Sequence, residues 1–496
     1  MLDNNEIIKD IDKNYYKICR LSNRIANTRL LITFIGILCF IISILEKNRI
    51  SFIFFVFSCL VFITLIIIHE AIKKKKIYLE AKLWVFQKRN ARIQNTWREF
   101  DENGNDFLAE EMVVESDLDI FGLNSLYQYI CTAHTQEGRK ILADYLKNQE
   151  FDKENISLRQ EAVKELIDKN DITTEIETLS RVIGINCKKN TKEWYEAFVS
   201  YLKREDSLIS KRLYRGSILF SLFTLLMFVL SLKGYFSVSY ALMLFFIQLA
   251  LGYYSSYKNN KVINDVFRFC NNMEEYYNIV EYIQTVKFES TYINKLCAPI
   301  KSSKEATKGI KKLNFLKEAF LVRSNPYMHI VLQLFLMYDI HCIFALEKWK
   351  KNYKDSIKDL FSIIGEVEAL TSLTAIAYNR DICFPTFDEE SSVIFEADNI
   401  SHPLIPLDAV VSNSIKIHKA TGIITGSNMS GKTTFMRTIG VNCILAYAGA
   451  PVCANKMIVS NMKIFTSMRV QDDVSKGIST FYAEVLRIKQ IIEYSY

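Results

Sequence analysis

Proline and glycine are scarce in this chain, and unevenly so. Of 496 residues, 6 are proline and 16 are glycine. The prolines all lie late: Pro299, Pro326, Pro385, Pro403, Pro406 and Pro451. Proline breaks a helix by removing a donor and clashing with the preceding turn, and glycine weakens one through backbone entropy. Upstream of Pro299 the chain is therefore expected to be overwhelmingly helical. The 11 cysteines are scattered without a C-x-x-C pair. That excludes a disulfide framework and a zinc ribbon, and suits a reducing compartment. The 6 histidines show no H-x-x-x-H or similar ligand spacing, so no metal site built from protein ligands alone is expected.

Ionisable side chains are also missing from four long apolar runs. Leu30 to Leu45 and Ile50 to Ile68 are split by Glu46-Lys47-Asn48-Arg49; Gly216 to Leu232 and Tyr235 to Tyr254 are split by Lys233-Gly234. Each run is about the length that crosses a hydrocarbon core, the first being short at roughly 24 Å of helix. A cleaved signal peptide does not fit, because the first run begins late and a second follows at once. The competing reading, helices buried in a large soluble bundle, must hide four such runs joined by very short loops. The net charge is +7, and much of the basic excess flanks the hairpins at Arg20, Arg24, Arg29, Lys73 to Lys76, Lys211, Arg212, Arg215, Lys258 and Lys261. That bias predicts a multi-pass protein of the plasma membrane with both termini and all soluble segments cytoplasmic. With Gln248 as the most polar residue inside a span, the hairpins read as anchors rather than a transport path.

Between the hairpins and beyond them the pattern is helical. Residues 72 to 100 read as a basic amphipathic helix leading away from the bilayer, and 101 to 108 as a turn. Met273, Tyr276, Tyr277, Val280 and Ile283 recur at helical spacing and mark one apolar face. Residues 331 to 378 read as a long helical pair. Its Glu366 and Glu368 face different directions two positions apart, so they are expected to be solvated rather than a catalytic pair. Trp349 and Tyr378 are expected in the core or an interface.

Near the C-terminus, Gly426-Ser427-Asn428-Met429-Ser430-Gly431-Lys432-Thr433 fits the phosphate-loop pattern G-x-x-x-x-G-K-[ST] without mismatch. The glycines let successive N–H groups turn inward at phosphate oxygens. Lys432 is suited to the β- and γ-phosphates, and the hydroxyl of Thr433 to Mg²⁺. Gly422 to Thr425 reads as a short buried strand entering the loop. Thr434 to Ala448 reads as the helix leaving it, ended by Gly449-Ala450-Pro451. ATP and Mg²⁺ are the implied cofactors, held by Gly426 to Thr434.

These residues resemble the MutS family of mismatch-repair ATPases, in a membrane-attached bacterial branch. Thr425 to Thr434 is similar to the family's T-G-x-N-M-x-G-K-[ST]-[ST] loop, and Ser401-His402-Pro403-Leu404 to the entry of its ATPase domain. Asp472-Asp473 with Gly477-Ile478-Ser479-Thr480-Phe481 resembles its D-D-x-x-x-G-x-S-T-F element. Asp117 to Gly122, Arg159 to Val163, and Gly365 to Leu370 with Cys383-Phe384-Pro385 are similar to its helical core. The resemblance implies a homodimer through paired ATPase domains, in which Ser479 contacts the γ-phosphate held by the partner subunit. It also implies DNA as a partner, in mismatch repair or DNA processing. Three departures stand out. The apolar strand ending in Asp-Glu, which holds Mg²⁺ and activates water, does not follow before Tyr496, so the sequence is expected to be a fragment and no residue is assigned to water activation. Membrane spans stand where the mismatch-reading domain would be. Val410-Val411-Ser412-Asn413 lacks the aromatic that stacks on adenine.

The expected fold is mostly α with a C-terminal α/β P-loop ATPase domain. In order, the expected parts are a cytoplasmic N-terminal helix (1–29), the first transmembrane hairpin (30–68), a basic linker helix (69–104), helical core (105–215), the second transmembrane hairpin (216–254), helical core again (255–390) and an incomplete MutS-like ATPase domain (391–496). The function expected is a membrane-anchored, dimeric, MutS-like ATP-binding protein or ATPase. A non-catalytic, nucleotide-dependent membrane scaffold is the alternative. An ABC-type transporter component fits less well, because no L-S-G-G-Q element follows the loop.

Overall fold

The structure, a computed structural model, describes residues 4–108, 113–147, 151–186, 191–270, 273–302, 305–388, 394–418, 420–468 and 480–494. It is mostly helical, as the scarcity of breakers predicts, and its residues fall into two compact units. The first comprises Met1–Ala133, Leu142–Ile185 and Ala369–Tyr496; the second comprises His134–Ile141 and Asn186–Glu368.

In the first unit, the helices Asn4–Leu45 and Arg49–Ile93 run 42 and 45 residues without interruption. Neither the N-terminal segment nor the basic linker is a separate element: both continue the apolar helices directly, because no glycine pair or proline interrupts them. Lys47 turns the chain at φ +49°, and the Asn48 side chain accepts from the Ile50 amide to start the second helix. The two helices approach closely at Gly36, where a Cβ would lie 2.6 Å from Ser58 Oγ. Further along, Tyr78 donates to Glu175 Oε2 at 2.6 Å and Arg89 pairs with Glu177 at 2.8 Å. These bonds fasten the end of the long helix to the helix Asn170–Asn186.

The same unit holds a four-stranded sheet, ordered β1-β4-β2-β3, of β1 (Thr386–Asp388), β2 (Ile394–Ile400), β3 (Asn413–His418) and β4 (Lys456–Ser460). The β1–β4 pair is parallel and the β2–β3 and β2–β4 pairs are antiparallel. Phe395 lies opposite Val459 and Ala397 opposite Met457, and all four side chains are buried. The strand expected at Gly422–Thr425 is not formed. That segment pairs with none of the four strands, and Ile423 is 84% exposed. A strand needs a ladder partner on its edge, and none of the described strands supplies one there. The C-terminal region is thus a small mixed sheet with helices, without a described strand leading into the loop.

In the second unit the helices Lys211–Leu232 and Val238–Cys270 form the other apolar hairpin. Its polarity is inverted relative to a soluble helix pair. Ser217, Ser221, Thr224, Ser231 and Gln248 are buried, while Leu219, Leu222, Phe223, Leu226 and Phe246 are exposed. Gln248 Nε2 donates to Ser221 Oγ at 3.1 Å, joining the two helices through the polar seam. Met273, Tyr276, Ile279, Val280 and Ile283 make the buried face of the helix Met273–Thr285. Tyr277 turns away and donates to Glu281. The expected helical pair over 331–378 is instead a short helix, Pro326–Leu336, and a long one, Tyr338–Leu373, joined by Met337 at φ +49°. Trp349 is fully buried and donates to the Gly309 carbonyl at 2.8 Å.

The expectation of a solvated Glu368 is corrected. Its carboxylate is buried and accepts from the amides of His134 (3.0 Å) and Thr135 (3.2 Å) and from the Thr135 hydroxyl. A carboxylate at the start of the helix Gln136–Lys147 satisfies donors that the helix cannot satisfy itself. Glu366, on the other face, accepts from the Tyr292 hydroxyl, so the two acids do face apart.

Among the described residues, five helices are long and apolar enough to cross a membrane. Four are those of the two hairpins. The fifth, Tyr338–Ala377, has its apolar window largely buried in the protein, so the side chains already cover it.

Candidate nucleotide-binding site

The loop 426–431 delivers the chain from an exposed segment onto the helix Lys432–Ala448, whose second half, from Thr438 onward, is almost wholly buried. The loop is tight because two residues adopt left-handed backbone, Met429 at φ +64° and Gly431 at φ +87°. A side chain at Gly431 would be strained by that φ, whereas at Gly426 a Cβ would come 2.6 Å from Ser430 Oγ. Gly431 stands at the helix N-cap and supplies no side-chain acceptor to the first amides. Lys432 Nζ donates to the carbonyls of Gly426 (2.8 Å) and Ser427 (2.6 Å) and thus lies across the loop's mouth. Gly426, Ser427, Asn428, Met429, Ser430, Thr433 and Thr434 are all exposed. The predicted cradle residues are therefore brought together. The arrangement fits a triphosphate with its Mg²⁺: open amides at a helix N-terminus, a lysine ammonium at the mouth and a threonine hydroxyl beside it.

Ser479, assigned to the partner's γ-phosphate, lies outside the described residues, as do Asp472, Asp473, Gly477 and Ile478. The helix Thr480–Tyr494 follows them.

Residues outside the sequence motifs, Arg437, Gly440 and Asn442 among them, help to hold the loop's helix in place. Arg437 Nε donates to the Asp117 carbonyl at 2.9 Å, and its Nη1 stands 3.5 Å from Asp119. The buried Asp117 carboxylate accepts from the Met468 amide at 3.0 Å and stands 3.5 Å from Arg487. Gly440 lets Leu118 pack on the helix backbone, where a Cβ would come 2.7 Å from Leu118 Cδ2. Asn442 Nδ2 donates to the Ser401 carbonyl (3.0 Å) and its Oδ1 accepts from the Cys453 amide (2.9 Å). A signal for Asn442 was present: asparagine is a poor helix former in a helix interior, and here it sits in an apolar stretch. Gly449 ends the helix at φ +79°, close against Arg159.

His402 is buried, and its Nδ1 accepts from the Leu404 amide at 3.2 Å. Burial depresses its pKa from 6.5 to about 4; Arg437 and Arg380 add to the effect and Asp119 opposes it. An unfolded chain then takes up a proton that the folded one refuses. Stability is expected to fall as pH drops from about 6.5 towards 4, by about 3 kcal/mol in total, and to be indifferent to this residue above that range. Denaturation midpoints at intervals between pH 4 and 7 measure the loss. His402→Asn, which keeps an acceptor, should flatten the profile; an unchanged slope would remove His402 as its source.

A family model described as MutS domain V matches residues 422–495. A DNA mismatch repair protein MutS of Clostridium perfringens is 32% identical over 151 residues, covering 29% of this chain and 16% of the relative. The MutS of Staphylococcus haemolyticus is 33% identical over 152 residues, covering 29% and 17%. That of Pseudothermotoga lettingae is 26% identical over 195 residues, covering 36% and 24%. The chain thus spans between 16% and 24% of the length of these curated relatives. The loop 426–431 and the helix that follows it lie inside the matched region, and it is this C-terminal part of the chain that is similar to MutS domain V.

Proposed function

We propose that this chain is a membrane-anchored, MutS-like nucleotide-binding protein that holds ATP and Mg²⁺ on Gly426 to Thr434. The observation that carries the reading is the loop itself, left-handed at Met429 and Gly431 with Lys432 across its mouth, in a segment similar to MutS domain V. Lys432 would contact the β- and γ-phosphates and Thr433 the metal; the nucleotide supplies the energy of phosphoryl transfer when bound. Membrane anchoring is supported by the exposed apolar faces of both hairpins and by the buried polar seam of the second. In water such inverted helices would expose a large apolar surface, whereas in lipid the same surface is solvated. The basic residues flanking the hairpins favour a cytoplasmic placement of the rest.

A homodimer through the nucleotide domains belongs to the reading, with Ser479 completing the partner's phosphate site. DNA enters it through the relatives, which are named as DNA mismatch repair proteins. The test is direct. The full chain is expected to stay in the membrane pellet through alkaline carbonate extraction and, in lipid nanodiscs, to bind ATP with Mg²⁺ saturably. Release by carbonate would overturn the anchoring, and an absence of binding heat would overturn the nucleotide site.

A further inference from the structure

The helix Pro326–Leu336 is built inside out. Eleven residues long, it carries only two buried side chains, His329 and Gln333, and these are polar. Tyr327, Met328, Ile330, Val331, Phe335 and Leu336 are exposed, Tyr327 to 82%. A water-facing helix shows the opposite arrangement, and apart from the ring of Phe245 against Phe335 this apolar face stays exposed among the described residues. The polar side is engaged except at Gln333 Nε2, which is buried without a hydrogen-bond partner. His329 Nε2 donates to the Asp339 carboxylate at 3.2 Å, Arg323 Nε stands 3.3 Å from the same carboxylate, and Gln333 Oε1 accepts from the Asp339 amide at 3.1 Å. Buried ionisable groups paired in this way are what a low-dielectric surrounding demands.

Its neighbours set its depth. Arg323, just before the helix, donates to Ser256 Oγ at 2.7 Å, beside Lys258 and Lys261, on the basic side of the second hairpin. Farther along, Gln333 lies against Gly252, where a Cβ would come 2.0 Å from Nε2. Phe335 then meets Phe245 edge-on at 5.2 Å, and Phe245 meets Phe228 of the other hairpin helix at 5.6 Å. The helix therefore starts at the level of the flanking basic residues and ends beside the middle of the apolar runs. Eleven residues rise about 16 Å, roughly half of a hydrocarbon core of about 30 Å. Met337, in left-handed conformation and buried, then turns the chain back into the helix Tyr338–Leu373.

We propose that Pro326–Leu336 is a re-entrant half-span, entering the bilayer from the cytoplasmic side beside the second hairpin, with lipid acyl chains covering its apolar face. The occupant follows from continuity: this face extends the exposed apolar surface of the hairpin it packs on, and the cations sit where lipid headgroups would be. Non-helical backbone at the turn is tolerable at that depth because protein buries Met337. The proposal rests on the membrane reading above, and its test separates the two.

The full chain is reconstituted in vesicles of phosphatidylcholine and phosphatidylglycerol carrying a phosphatidylcholine with a diazirine at the acyl-chain terminus. After irradiation, adducts are mapped by mass spectrometry. Adducts at Ile330, Val331 or Phe335, at yields within about threefold of those at Leu225 and Phe246 of the hairpin, are the expected result. Adducts on the hairpin with none between 326 and 336 would overturn the half-span and leave the anchor standing. Adducts on neither would overturn both.

Discussion

Replacing Lys432 by alanine is expected to weaken ATP binding by about 2–3 kcal/mol, a loss of roughly 50-fold in affinity. The lysine is the sole side-chain cation that the loop itself carries, and a charge-assisted bond to phosphate is about twice as strong as a neutral one. The loss is smaller than a bare Coulomb energy because Nζ already donates to the carbonyls of Gly426 and Ser427. Binding exchanges those bonds for phosphate contacts. Lys432→Arg should not restore wild-type affinity, because the planar fork does not fit a point-charge site. Met429→Gly is the contrasting variant. Its side chain is entirely exposed and its φ is already +64°, so binding should stay within about threefold while the backbone strain is relieved. Calorimetric titration in nanodiscs measures both. If alanine at 432 binds as tightly as lysine, the loop is not a phosphate cradle.

A second large effect is expected far from the loop. Arg89 and Glu177 are both buried, with side-chain exposures of 5% and 0%. The guanidinium donates to Glu177 Oε2 at 2.8 Å, to Thr174 Oγ1 at 2.7 Å and to Asn170 Oδ1 at 3.0 Å. Arg89→Met leaves the carboxylate buried and uncompensated, which should cost about 3–5 kcal/mol of stability. Glu177→Leu strands the guanidinium at comparable cost. The double variant should recover at least half of the loss, since an apolar pair of similar volume avoids both desolvation penalties. Denaturant midpoints of the full chain in detergent, read from tryptophan fluorescence, give the cycle. Additive losses in the double variant would show that the pair is not coupled. In the proposed function this contact matters because the helix Arg49–Ile93 carries a membrane span at one end and grips the helix Asn170–Asn186 at the other.

Much of the candidate site's local geometry was legible in the residues. G-x-x-x-x-G-K-T names its own geometry, because glycine takes up the φ of Gly431 without strain and a helix start presents a row of free amides. The hairpins were equally legible, since an uninterrupted apolar run leaves a chain few alternatives. The helix Lys432–Ala448 ends at the predicted glycine. The strand before the loop was not legible in the same way. Gly422-Ile423-Ile424-Thr425 has the composition of a buried strand, yet a strand exists only with a neighbour to bond, and that neighbour is no local property of the segment. Glu368 shows the reverse error. By position it belonged on a solvated face, but the amides of His134 and Thr135, more than two hundred positions away in sequence, are what it serves.

Sequence alone determined the helical character of this protein, the two apolar hairpins and the tight turn at 426–431, because each depends on short-range sterics, on hydrogen bonds within one element or on an uninterrupted run of one polarity. Only the tertiary structure decided which polar groups went inside. It buried Asn442 and Asp117 to fix the loop's helix, Glu368 to cap a distant one, and His329 with Gln333 to turn a short apolar helix outward. Those choices depend on partners brought together by the fold, since a buried polar group is tolerated only where another chain segment supplies its hydrogen bonds.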